Sequence, residues 1–152
     1  MPVVNRILAN PGGPLGPGPL QVEGAWLEVE IAIPSALENY LKAAGKPIPN
    51  PVKGRALIDT GATFSAVDDS LIRGLGVNPI NAGQGGTANG PAIQFIYPAR
   101  FIFPMLGWTF EFSRTTGVNL GGSGFIALIG RDVLSRMTMV YNGGLGIVTF
   151  AI

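Results

Sequence analysis

An all-β fold with one or two short helices is what this sequence of 152 residues predicts, and three observations predict it. Charged residues make up 12% of the chain against the usual quarter, while 23 Gly and 13 Pro supply frequent turns. Stretches of strand length recur in which apolar and polar residues alternate, or in which β-branched and aromatic residues cluster. Helix-like patterning is confined to a few short windows. With 47% hydrophobic residues, the chain is one domain large enough for a real core.

Taken in order, residues 1–19 include a Gly/Pro-rich run over 10–19 that suits neither helix nor ladder, so an extended N-terminal arm is expected. The folded domain is expected over 20–152. Within 20–33, Trp26, Val29 and Ile31 sit among Glu23, Glu28 and Glu30, the pattern of a strand with one solvated face. Residues 35–45 open on Ser, continue through helix formers and end in Gly, which predicts a short helix. The three prolines of 46–51 make that stretch a connection. Residues 52–58 form a strand that runs through Ala56, Leu57 and Ile58 into Asp59-Thr60-Gly61, where Gly61 lets the backbone approach whatever Asp59 faces. Taken alone, the turn also suits an Asp that caps its own backbone.

Residues 64–67 are expected to be extended, with Asp68 and Asp69 capping a short helix over 70–74. Four glycines in the ten residues 81–90 mark a loop between apolar stretches. The aromatic, β-branched segments 93–103 and 108–112 are broken by Pro98, Pro104 and Gly107, and read as a hairpin or as two strands leaning to an edge. A loop over 119–124 precedes a strand over 125–129. Arg131 opens a helix of about two turns reaching Met137. Residues 139–141, a turn over 142–144 and residues 145–152 make strand, tight turn and strand. The last stretch, with Thr149 as its one polar side chain, is too apolar to stay an exposed edge.

Absent residue types narrow the chemistry. With no His and no Cys, a Ser-His-Asp triad, a Cys-His dyad, the usual zinc sites and disulfides are all excluded. A Ser-Lys dyad would need Lys42, Lys46 or Lys53, all close to one Pro-rich connection. Acid-base work near neutral pH falls to nine carboxylates, of which Asp59, Asp68, Asp69 and Asp132 are the aspartates. A net charge of +1 gives no electrostatic footprint for nucleic acid or an anionic membrane. No membrane-spanning run or signal segment is evident, so a cytoplasmic location is expected.

Two motifs in order carry a resemblance. Ala56-Leu57-Ile58-Asp59-Thr60-Gly61-Ala62-Thr63 and, near the C-terminus, Ala127-Leu128-Ile129-Gly130-Arg131-Asp132 together resemble the retropepsin-like aspartic proteases over most of 54–152. The resemblance implies a small closed acid-protease barrel, with 34–51 as an insertion between the first strands. It implies an aspartic endopeptidase without cofactor or metal, acting on peptides with apolar residues beside the scissile bond. A single Asp-Thr-Gly per chain further implies a homodimer in which each subunit supplies Asp59. Thr60 would bond across the dimer axis, and Gly61 would bring its backbone to the substrate.

Residues 81–90 would be the flap, with Gly85 and Gly86 over the substrate, and Ala62, Ala66, Ile126 and Leu128 would line its pockets. Gly130, Arg131 and Asp132 would brace the site. The fourth position after the catalytic Asp, often acidic in viral members, is here Thr63, so Arg131 must find Asp68, Asp132 or backbone carbonyls instead. In the family, terminal strands of both subunits interleave into one sheet. The alternative is a dimerisation or binding module that keeps the fold without catalysis. A module freed from catalysis has no need of an unpaired buried acid, which argues against it. A β-barrel for a small apolar ligand, with a structural Asp59, is a third possibility.

Overall fold

A computed structural model of the chain describes residues 3–7, 18–87 and 90–152. Its elements in chain order are β1 (Val3–Ile7), α1 (Gly18–Glu23), β2 (Trp26–Ala32), α2 (Ser35–Ala43), β3 (Val52–Ile58), β4 (Ala66–Asp68), α3 (Asp69–Gly74), β5 (Asn81–Thr87) and β6 (Gly90–Phe103). After a 3-10 turn (Pro104–Leu106) come β7 (Trp108–Val118), β8 (Ala127–Ile129), α4 (Arg131–Leu134), β9 (Thr138–Asn142) and β10 (Ile147–Ala151). The fold is all-β with short helices, four among the described residues rather than one or two. None of those helices is long and apolar enough to cross a membrane.

Seven strands form one sheet in the order β2-β3-β8-β4-β7-β6-β5. β2 also pairs with β6, through Glu30↔Ile102, Ile31↔Phe101 and Ala32↔Arg100, so pairing from β2 round to β6 returns to β2. β5 stands outside this ring as the hairpin partner of β6, with Thr87↔Gly90 at its end. A second sheet holds β1-β10-β9, all antiparallel.

The side-chain period explains what fills the ring. Leu27, Val29 and Ile31 of β2 are buried and Glu28 is exposed, as alternation requires. Phe101 and Phe103 of β6 are fully buried and meet Phe112 and Phe110 edge-on at 4.8 and 6.2 Å, so the aromatic stripe is core.

Several expectations change. Residues 20–23 belong to α1, because Leu20 plugs the core at 2% exposure and Gly24, at φ 73°, turns the chain into β2. Part of the expected arm, Val3–Ile7, is a strand paired to β10; residues 8–17 lie outside those described. The segment 81–90 belongs to an antiparallel hairpin, the form that a hairpin tip and not a plain loop requires; residues 88 and 89 lie outside those described. β6 and β7 are paired on both sides, so neither leans to an edge. Pro98 is accommodated at the register irregularity between Tyr97 and Ala99, and Gly107, at φ 61°, follows the 3-10 turn.

Asp68 caps α3 by accepting from Leu71 N at 3.0 Å, as expected. Asp69 does not cap; it pairs with Arg73 and accepts from the buried Tyr97 hydroxyl at 2.6 Å. α2 starts at Ser35 without a side-chain cap, and Glu111 accepts from Ser35 N instead. α4 is a single turn ending at Leu134, and β8 begins at Ala127 rather than 125. The C-terminal strand is no edge: β10 lies between β1 and β9, with Val148 and Phe150 in the core.

Candidate active site

β3 delivers Asp59. Its last residue donates from Ile58 N to Ala25 O at 2.8 Å, and Asp59 N donates to Ile129 O at 2.9 Å, so the end of β3 is held from two sides. The chain then turns. Asp59 Oδ1 accepts from Gly61 N at 3.0 Å and from Ala62 N at 3.2 Å. A side chain at Gly61 would press on that oxygen, at 3.2 Å. Among the described residues nothing donates to Oδ2, so in this half-buried carboxylate one oxygen shapes the turn and the other has no donor. Capping its own turn thus leaves the second oxygen of Asp59 uncommitted among the described residues.

Arg131 ties the turn down. Its guanidinium donates to Thr60 O at 2.9 Å, Gly61 O at 3.0 Å and Thr63 Oγ1 at 2.9 Å. Of the partners open to Arg131, the backbone carbonyls are therefore used, and the Thr63 hydroxyl stands where an acid is frequent in viral members. Arg131 N and Asp132 N also donate to Ala62 O and Thr63 O, fastening α4 to the turn.

Asp132 faces away from Asp59 chemistry. It accepts from Ser65 N at 2.9 Å, Ser65 Oγ at 2.8 Å and Val133 N at 2.9 Å. Ser65 is fully buried; its Oγ accepts from Gly130 N at 3.0 Å, and its carbonyl accepts from Thr115 Oγ1 at 2.8 Å. Gly130 is a close approach: a Cβ there would lie 2.6 Å from the Phe64 carbonyl carbon.

The remaining candidates are placed less uniformly. Ala66 and Leu128 pair directly across β4 and β8; Ala66 is buried at 5% exposure, while Ile126 and Leu128 are half-buried. Gly85 and Gly86 pair with Ala92 and Pro91 in the β5–β6 hairpin, where a side chain at Gly85 would run into Gln94. Among the described residues no hydrogen bond joins that hairpin to the Asp59 turn. Thr60 is exposed and, with Arg131, Leu134, Ser135, Met137 and Met139, lines a shallow groove of about 410 Å³. A second cavity of about 410 Å³ lies between the exposed Phe64 and Ile96, Arg114, Thr115 and Thr116.

Sequence reasoning missed Ser65 and Thr115, which join the turn to α4 and β7; a lone hydroxyl beside Ala66 and Val67 was the available signal. It missed Tyr97 too. Burial first, then its bond to Asp69, pushes the Tyr97 hydroxyl up to about 12, so it stays a donor. For Asp68, burial works to raise the carboxyl, yet bonds from Ser70, Leu120 and Leu71 outweigh it and hold the group below the ordinary value.

Among the described residues no cluster of three or more His, Cys, Asp or Glu is placed to hold a metal. A family model described as aspartyl protease matches residues 44–103. No curated protein matches the chain significantly. Among solved structures, the chain is similar to a retropepsin-like aspartic protease from Rickettsia conorii, at 16% identity and a TM-score of 0.47, covering 99% of this chain and 94% of that one. The Asp-Thr-Gly turn lies inside the matched stretch, at the end of a strand in the ring, so it is the part of the chain around Asp59 that is similar to the aspartyl protease family.

Proposed function

We propose that the protein is an aspartic endopeptidase whose reactive pair is formed by Asp59 from each of two subunits. The observation that carries this reading is the Asp59 turn itself. Oδ1 is spent on Gly61 and Ala62, Oδ2 has no donor among the described residues, and the backbone is locked by Arg131 and by Ile129. Pre-organisation of this kind suits a group that must act rather than merely cap. Asp132, the one other aspartate against the turn, is committed to Ser65 and Val133, so the second carboxylate comes from another chain.

Two carboxylates held close share one proton, because like charges at that range cannot both ionise. The ionised member takes a proton from water as the water oxygen attacks the scissile carbonyl. The neutral member gives its proton to the carbonyl oxygen. A proton then passes to the leaving nitrogen as the C–N bond breaks. Thr60 bonds across the axis, and Gly61 offers its backbone to the substrate. Ala62, Ala66, Ile126 and Leu128 border apolar side-chain sites, and the β5–β6 hairpin with Gly85 and Gly86 covers the bound peptide. Gly130, Arg131 and Asp132 brace the turn.

A peptide library incubated across roughly pH 3 to 8, with and without an aspartyl transition-state mimic, tests the reading. Cleavage that the mimic blocks is expected. Absence of cleavage by a folded dimer, or cleavage insensitive to the mimic, would sink it in favour of a binding module or of other chemistry.

A further inference from the structure

Arginines line three of the cavities, and they differ in what each is committed to. Arg131 is spent on the Asp59 turn. Arg55, in the cavity bordered by Trp26 and Pro104, pairs with Glu23 and donates to Gly124 O. Arg114 lines the cavity of about 410 Å³ between Phe64, Ile96, Thr115 and Thr116. It is exposed and makes no ion pair among the described residues, which include all nine carboxylates of the chain. None of the nine lines this cavity. The same strand face supplies a second donor. Arg114 and Thr116 stand two apart on β7 and share a side, while Thr115 between them turns inward and gives its hydroxyl to Ser65 O. Thr116 pairs with Ile96 of β6 and with Ala66 of β4, which sets it at the seam between the hairpin strand and the strand behind the Asp59 turn. Across from it is Phe64, 66% exposed on a backbone that packs against Gly130 and runs into the bonded Ser65. The cavity therefore has apolar walls and one uncommitted cation.

Resting on the reading of Asp59 as the reacting acid, we propose that this cavity takes an acidic side chain of the peptide substrate, selected by Arg114. A carboxylate fits because the guanidinium presents a planar fork of donors that matches it, and Thr116 adds a hydroxyl on the same face. Glu suits the cavity better than Asp, since its longer stem covers apolar surface at Phe64 and Ile96 while the charge meets Arg114. A basic side chain is turned away by like charge. The occupant belongs to the substrate because the cavity joins the candidate site: Ala66 pairs with Thr116 on one side and with Leu128 on the other. The chain itself bounds the distance. Phe64 is the fifth residue after Asp59, and that many residues span at most about 18 Å when fully extended. An extended peptide crosses the same span in about five residues, so the acidic residue lies within about five positions of the scissile bond.

The test walks Glu, Gln and Lys in turn through the positions on either side of an apolar pair in one parent peptide. Two quantities are read: kcat/KM with the wild-type protein, and the dissociation constant with Asp59→Asn by fluorescence anisotropy. At one position Glu should be favoured over Gln roughly tenfold in both readouts, and Lys disfavoured. Arg114→Gln should erase that ratio, and Arg114→Glu should reverse it so that Lys is preferred. A substitution that merely loosened the fold would lower every peptide alike and leave the ratios where they were. Circular dichroism should show both variants folded, as Arg114 is exposed. A Glu-to-Gln ratio near one at every position, or a Glu preference that survives Arg114→Glu, would overturn the proposal. Glu peptides bound through Arg114 by a protein that cleaves nothing would leave the acidic site standing and sink the proposed function. Peptides cleaved with no dependence on Glu or on Arg114 would do the reverse.

Discussion

Replacing Asp132 separates a structural acid from a catalytic one. Asp132→Ala removes the acceptor for Ser65 N and Ser65 Oγ, both on a residue with 0% exposure, and for Val133 N. A buried donor left without a partner costs about 1–3 kcal/mol. Two such donors on Ser65 put the loss at about 3–4 kcal/mol, a large share of the ~5–15 kcal/mol that holds a domain together. At about 2–4 °C per kcal/mol for a chain of this size, the melting temperature should fall by roughly 10 °C.

Asp132→Asn is milder. Its carbonyl oxygen can still accept from Ser65 Oγ and Val133 N, while its amide faces Ser65 N donor to donor, so a loss of about 1–2 kcal/mol is expected. The assay is urea unfolding at one fixed protein concentration, since the proposed dimerisation would make stability concentration-dependent. Peptide cleavage is then measured at a temperature where both variants remain folded. Asp132→Asn should keep cleavage within about tenfold of wild type, whereas removing an acid-base group costs about a hundredfold or more. An Asp132→Asn protein as stable as wild type yet at least a hundredfold slower would refute the assignment of Asp132 to the scaffold.

Asp59→Asn should abolish cleavage with fold and mass unchanged; a variant cleaving at the wild-type rate would end the catalytic reading. Tyr97→Phe removes the donor to Asp69 and should cost about 1–2 kcal/mol. Because the folded Tyr97 is raised to about 12 from 10.0, its contribution is fully present below the unfolded value and is lost as pH rises through the folded one. The urea midpoint of Tyr97→Phe should therefore be flatter on the alkaline side, and an unchanged alkaline slope counts against this. Asp68→Ala removes the α3 cap and the acceptor of Leu120 N, for about 2 kcal/mol. Its wild-type carboxyl is held below 3.8, so that stability is present above this value and lost as pH falls through the lower folded one. The variant should be less acid-sensitive than wild type in urea titrations. Deleting residues 148–152 removes the buried Val148 and Phe150, about 5 kcal/mol or more, so cooperative unfolding should disappear; a folded monomer would contradict the burial of β10.

What could be read from the chain alone is what neighbours in sequence decide. Residues 52–58 form β3 to the residue, because an apolar run followed by Asp-Thr-Gly carries both the strand and its stop within ten positions. Helix α2 and the Asp68 cap were legible for the same reason: each signal lies within one or two turns of the backbone it acts on. The candidate acid followed from two short motifs and from the absence of His and Cys.

Which strand lies beside which was not legible. Ser65 meets Asp132 across 67 positions, Ser35 meets Glu111 across 76, and β1 meets β10 across nearly the whole chain. An apolar period states that a strand has an inside face, yet it does not name the strand alongside, so residues 145–152 were legible as too apolar for an exposed edge while their neighbours, β1 and β9, were not. The partner is chosen when the ring closes and core volumes are filled together, a global condition that no local window contains. Tertiary structure therefore decided that Arg131 grips backbone carbonyls, that Asp132 serves Ser65, and that β10 lies between β1 and β9.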